Sequence, residues 1–292
     1  VPAGFSIVAR GPFSLRAAAG FGFGGREAEP DDGAMRLALV VDGFRQHAGV
    51  VLTQDAAGVV HATVKGTGET DALRRQVARV LSLDHDGEEF MAAGRRDPVL
   101  GQLQAEHPGQ RPVLFHSPYE AAAWAVLSAR RPRSHAAVTR RLVCEQLGAR
   151  FELAGHTMDA FPLPERLLEL EAMPGVPPEK VVRLHGVAEA ALDGRLDPEP
   201  LRAMGAERAT ACVQELRGIG PFYAGLVVVR ATGLADVLPT GETRVLSHAA
   251  HYYGRPAPLT PEELAELAEQ WRPLRTWAVV LIRLAGDRAG LG

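Results

Sequence analysis

Leu216-Arg-Gly-Ile-Gly-Pro-Phe-Tyr-Ala224 lies between two stretches of helical text, 208–216 and 223–231. Gly218 and Gly220 permit a tight turn and leave backbone amides uncovered at the start of the following helix. Uncovered amides at the positive end of a helix dipole make an anion site, and a phosphate group fits it. Ile219, the apolar residue between the glycines, would point back to anchor the turn. Taken alone, the same residues suit any short glycine turn, so the surrounding text has to decide.

That text is helical from about residue 117 onward. Ser117-Pro-Tyr-Glu120 sets a capping serine, a proline and a glutamate in the order of a helix start, and Thr260-Pro-Glu-Glu263 repeats it. Further helices are expected at 134–147, 164–170, 180–192, 198–204 and 243–253. The first hundred residues read differently. Phe5-Ser-Ile-Val-Ala-Arg10, Met35-Arg-Leu-Ala-Leu-Val-Val41, Gly49-Val-Val-Leu-Thr53 and Val59-Val-His-Ala-Thr-Val64 are short, β-branched and partly alternating. Turn-forming clusters at 30–33 and 55–58 separate them, which predicts a meander of hairpins followed by one helix over 69–83. Polar residues 101–111 read as a linker. The expected fold class is α+β: a small antiparallel sheet domain at 1–110, then a mostly helical domain at 111–292.

The chain has 292 residues, 46% of them hydrophobic and 23% charged, enough for a sizeable core. A net charge of −3 argues against a uniformly basic nucleic-acid coat. The arginines instead bunch at 130–141. Two cysteines, Cys144 and Cys212, exclude a disulfide framework and an iron–sulfur cluster. The histidines show no metal-ligand spacing. Trp124, Trp271 and Trp277 have the spacing of core residues. No apolar run reaches the length of a membrane helix and no charged-then-apolar leader is read, so a cytoplasmic, nucleoid-associated protein of bacterial type is expected.

The segment 216–246 resembles the helix-hairpin-helix DNA glycosylase superfamily, most of all its 3-methyladenine DNA glycosylase II family. The resemblance continues through Asp236-Val-Leu-Pro239, the carboxylate of Glu242 and Trp271-Arg-Pro-Leu-Arg-Thr-Trp-Ala278. Pro118-Tyr-Glu-Ala-Ala-Ala-Trp-Ala-Val-Leu-Ser128 is similar to the opening helix of the family's helical domain. What the resemblance implies is a monomeric protein that binds double-stranded DNA, flips out an alkylated purine and hydrolyses its glycosidic bond in base-excision repair. Gly218, Ile219, Gly220 and Pro221 would meet the DNA backbone. No cofactor is implied beyond a sodium or potassium ion on the main-chain carbonyls of Gln214, Leu216 and Ile219.

A carboxylate near the sugar stabilises the developing positive charge and orients water. The family's catalytic aspartate falls on Glu242, one methylene longer; Asp236 is the nearest alternative, with a structural role as its competing reading. Lyase members of the superfamily carry a lysine two residues after the second glycine, where this chain has Phe222. Its two lysines, Lys65 and Lys180, lie far from the hairpin in sequence, so monofunctional chemistry is expected. Phe222 and Tyr223 are expected to line the base pocket, where aromatic faces attract a cationic base. Arg283 falls at a pocket position too, and its charge would repel such a base. Where the family has a plug loop, this chain reads Leu127-Ser-Ala-Arg-Arg-Pro-Arg133; Arg130, Arg131 and Arg133 would stack into the gap or hold phosphates. These departures leave open an alternative, a protein that binds damaged DNA on the same scaffold without excising the base.

Overall fold

The computed structural model describes residues 3–22, 31–66, 69–239 and 241–291. Pro30, from the expected turn at 30–33, and Thr240, next to Glu242, lie outside the described residues. Strands β1 (Gly4–Val8), β2 (Ala34–Val40), β3 (His47–Gln54) and β4 (Val59–Gly66) form one antiparallel sheet. Its order is β1-β4-β3-β2, so β2 to β4 make the expected meander. The first strand departs from it, pairing with β4 in the register Ser6 to His61. Between β1 and β2 the chain forms α1 (Leu15–Ala19), capped by the Ser14 hydroxyl, which accepts from the Ala17 amide. Helix α2 (Thr70–Val80) turns Leu73, Val77 and Val80 onto Leu37, Val50 and Leu52 of the sheet. Burial of each such side chain contributes about 1.5–3 kcal/mol.

The stretch 101–111 is not a linker. Helix α3 (Gly87–Arg96) precedes it and α4 (Pro98–Glu106) runs into it, with Leu100 and Leu103 of α4 buried in a core that includes Trp271 and Trp277. Its polarity is turned inward. Arg111 donates to the carbonyls of Pro12 and Ser82 at 3.0 and 2.9 Å and lies over the Trp277 ring; burial lowers its pKa to about 10. Asp97 accepts from the amides of Val99 and Leu100, and its second oxygen accepts from the Trp271 indole at 2.7 Å and from the Tyr253 hydroxyl.

The rest is built from α5 (Pro118–Ser128), α6 (Arg133–Leu147), α7 (Pro164–Leu167), α8 (Pro178–Leu192), α9 (Pro198–Met204), α10 (Ala206–Gln214), α11 (Pro221–Ala231), α12 (Thr243–Tyr252), α13 (Pro261–Ala268) and α14 (Arg275–Arg288). One hairpin, β5 (Arg150–Leu153) with β6 (His156–Asp159), interrupts the helices where continuous helical text was expected. It packs on the N-terminal sheet: Arg36 donates to the Leu153 carbonyl at 3.1 Å and Lys65 to that of Glu152. Trp124, Trp271 and Trp277 are all buried, as their spacing implied. The fold is α+β. Among the described residues no helix is long and apolar enough to cross a membrane.

Helix α5 is buried along its whole length because it is the axis of the helical core. Ser117 caps it, accepting from the Glu120 amide at 3.2 Å. Glu120 does not complete the reciprocal cap, as Glu263 does with Thr260. Its carboxylate instead meets His116 Nδ1 at 3.3 Å and accepts from Arg140 at 3.0 Å on α6. Arg140, one of the bunched arginines, is thereby committed to the interior.

Candidate nucleic-acid interface and active site

The glycine text forms the turn expected of it. Helix α10 ends at Gln214, and the chain turns through Gly218, whose φ of +89° strains any residue with a Cβ. Leu216 and Ile219 are buried in the helical core and pin the turn from beneath, while Gly218, Gly220 and Pro221 stay exposed. Helix α11 then opens on Gly220 with no side-chain cap, so its first amides meet solvent with the positive end of the dipole. The Leu216 carbonyl already accepts the Ile219 amide at 3.0 Å. The carbonyls of Gln214 and Ile219 take no backbone hydrogen bond among the described residues, a donor set that suits a hard cation. No cluster of His, Cys, Asp or Glu able to hold a metal occurs among the described residues.

A second helix meets this turn. The Cα face of Gly218 lies against Arg183 of α8, so close that an added Cβ would stand 2.6 Å from Arg183 Cδ. Gly218→Ala is therefore expected to lose about 1–2 kcal/mol from backbone strain. It should weaken duplex binding as well, because relief of the clash moves Arg183 and the hairpin together. Urea unfolding and fluorescence anisotropy with a labelled duplex would check both.

The plug-loop residues are joined to α8, the helix that carries Arg183, and to the chain just before it by hydrogen bonds from Lys180 and Arg131. Arg130 is exposed in the left-handed region at φ +56°, and Arg133 is exposed at the first position of α6. Arg131 is tied down, donating to the Gly175 carbonyl. Lys180 on α8 is buried, with Nζ donating to the carbonyls of Leu127 and Ala129 at 2.8 and 3.0 Å. Burial, then Arg131 and Arg183, lowers its pKa. Distance in sequence was thus a poor guide: Lys180 stands one helical turn from the residue that touches Gly218, with its amine held by two carbonyls. Nothing in the sequence singled out Arg183 except its position three residues after Lys180.

The expected pocket aromatics divide. Phe222 is 59% exposed and meets Tyr223 edge-on, with ring centroids 5.4 Å apart. Tyr223 is half-buried, and its hydroxyl accepts from Ser128 at the end of α5 at 3.3 Å. Glu242 belongs to a separate group. It is the residue before α12, and its carboxylate accepts from Arg283 Nε of α14 at 2.8 Å; Arg283 also pairs with Asp287. These two carboxylates outweigh the effect of burial and raise the Arg283 pKa, so this side chain stays a cation. Asp236 accepts from Arg272 at 2.8 Å and from Arg275 at 2.7 Å, which ties the chain before α12 to the start of α14. Both carboxylate oxygens are engaged. No hydrogen bond, ion pair or ring contact joins the hairpin group to the Glu242 group among the described residues.

No family model matches the chain. It is 24% identical over 202 residues to DNA-3-methyladenine glycosylase of Bacillus subtilis, a match covering 68% of this chain and 67% of that one. It is 30% identical over 205 residues to a probable bifunctional transcriptional activator/DNA repair enzyme AlkA of Mycobacterium tuberculosis, covering 68% of this chain but 40% of the relative. Among solved structures it is similar to 3-methyladenine DNA-glycosylase from Archaeoglobus fulgidus, with a TM-score of 0.77, 22% identity and coverage of 97% and 98%. The chain therefore has the fold of a DNA glycosylase. Its resemblance to the 3-methyladenine DNA glycosylases, first read from the hairpin and the text around it, is borne out.

Proposed function

We propose that the protein is a monofunctional DNA glycosylase that excises alkylated purines from double-stranded DNA in base-excision repair, acting as a monomer. The observation that carries this reading is the uncapped start of α11 behind the Gly218–Gly220 turn, on a chain whose curated relatives are named DNA-3-methyladenine glycosylases. The hairpin amides hold a backbone phosphate, and a sodium or potassium ion on the Gln214 and Ile219 carbonyls would add positive charge against it. Phe222 and Tyr223 offer aromatic faces to the extruded base, and Arg130 reaches the gap that the base leaves.

Glu242 stabilises the positive charge that grows on the sugar and orients the attacking water. Arg283 Nε donates to this carboxylate at 2.8 Å and fixes its direction. The water's oxygen bonds to the anomeric carbon as the bond to the purine nitrogen breaks, its proton passes to Glu242, and the electron pair of the broken bond leaves with the base. With Phe222 two residues after Gly220 and the Lys180 amine bound to two carbonyls, no free lysine amine stands at the hairpin among the described residues for Schiff-base cleavage of the backbone.

One observation favours a second reading, binding of damaged DNA without excision: the Glu242 carboxylate is already engaged by Arg283. Base release separates the two. Incubation with duplex containing 3-methyladenine, 7-methylguanine or hypoxanthine should release free purine; a protein that binds all three and releases none fits the second reading. Borohydride added during the reaction should trap no protein–DNA adduct.

A further inference from the structure

Three helices begin around the same place without a side-chain cap. Helix α6 opens on Pro132, α8 on Pro177 and α11 on Gly220. Direct contacts bring the three starts together: Arg131 donates to Gly175, Lys180 donates to Leu127 and Ala129, and Arg183 packs on Gly218. Each opening leaves unmet amides and a partial positive charge. The side chains make the excess larger. Arg133 occupies the first turn of α6, where the dipole favours an acid, and Lys180 is a buried cation whose Nζ donates to two carbonyls.

Acidic compensation is thin. The ion pair of Arg183 is Glu179 at 3.8 Å, and that carboxylate is 66% exposed. Arg183 Nε is buried with no hydrogen-bond partner among the described residues, although the side chain keeps 28% of its surface. Like charges assembled with few counter-charges are costly in the free protein, and the cost falls when an anion arrives. A row of such charges across three helix starts matches a polyanion better than a single small ion.

We infer that the first turn of α8 is a third point of contact with the DNA backbone, lying between the 129–133 loop and the hairpin, with Arg183 as the direct ligand of a phosphodiester. Lys180 is the positioning residue: it fastens the end of α5 and the arginine loop to the helix that carries Arg183. The inference rests on the reading of the protein as a DNA-binding glycosylase and adds to it a contact outside the hairpin.

Each phosphate contact contributes about 0.9 to the slope of log affinity against log salt. Arg183→Gln should reduce that slope by about one unit. Its affinity deficit should accordingly shrink roughly threefold between about 50 and 200 mM salt. The measurement is anisotropy of a labelled undamaged duplex, with circular dichroism to verify folding. Arg183→Lys, which keeps the charge, should restore most of the slope, and Arg45→Gln, at the exposed arginine between β2 and β3 that pairs with Glu165, should leave it unchanged. A folded Arg183→Gln with the wild-type slope overturns the inference while leaving the glycosylase reading intact. A wild-type protein whose duplex binding ignores salt overturns both.

Discussion

Glu242→Gln is expected to slow base excision by about 10²–10³-fold, the usual loss when a preorganised electrostatic partner of the transition state is removed. Duplex binding should change little, since Glu242 stands apart from the hairpin and the arginine loop in the network of contacts. The substitution keeps the shape and one acceptor for Arg283 while removing the negative charge. Single-turnover rates on an alkylated duplex, with binding measured in parallel, separate charge from affinity. An unchanged rate would transfer the role to another group. Asp236 is poorly placed to take it, because Arg272 and Arg275 engage both of its oxygens.

The second large effect concerns stability. Glu120 is fully enclosed in the helical core with His116 and Arg140 as partners. Burial alone would raise its pKa, but these two neighbours prevail and hold it at about 2, against an ordinary value of 4.5. Glu120→Ala leaves Arg140 without its counter-charge and opens space beside α5, so a loss of about 3–5 kcal/mol is expected. The melting temperature should fall by on the order of 10 °C. The sign with pH follows from the depressed value. Between pH 4.5 and about 2 the unfolded carboxyl takes up a proton while the folded one stays ionised. The contribution of Glu120 is therefore complete above that range and is lost as pH falls through it. Urea unfolding of wild type and Glu120→Gln at several pH values should show a difference that is constant near neutrality and narrows only in acid.

Much of this architecture is visible in the residues themselves. Strong local rules made it so: β-branched alternation for β2 to β4, glycines at the hairpin, and Ser-Pro and Thr-Pro at helix starts. The parts that stayed hidden depend on contacts far apart in sequence. Residues 101–111 read as a linker because Gln104, Gln110 and Arg111 are polar, yet all three are buried: Gln104 and Arg111 donate to the carbonyls of Phe90 and Ser82 in other segments, and Gln110 to that of Arg111. Four-residue strands are too short to alternate visibly, which concealed β5 and β6. Glu120 looked like a capping partner because spacing cannot reveal that His116 and Arg140 converge on it. For the candidate site, the turn at Gly218 and Gly220 was legible through motif and spacing, and Glu242 stands before α12 as the carboxylate proposed for it. The pairing of Glu242 with Arg283, and the approach of Arg183 to Gly218, needed the packing of helices that are neighbours only in space.

The most direct test is a single-turnover reaction of the wild-type protein with a duplex carrying one alkylated purine, with free base and strand breaks quantified together. Release of the purine, with strands that break only after alkali exposes the abasic sites, is the result expected of a monofunctional glycosylase. Tight binding to the same duplex with no purine released, or strands cut without alkali, would contradict it.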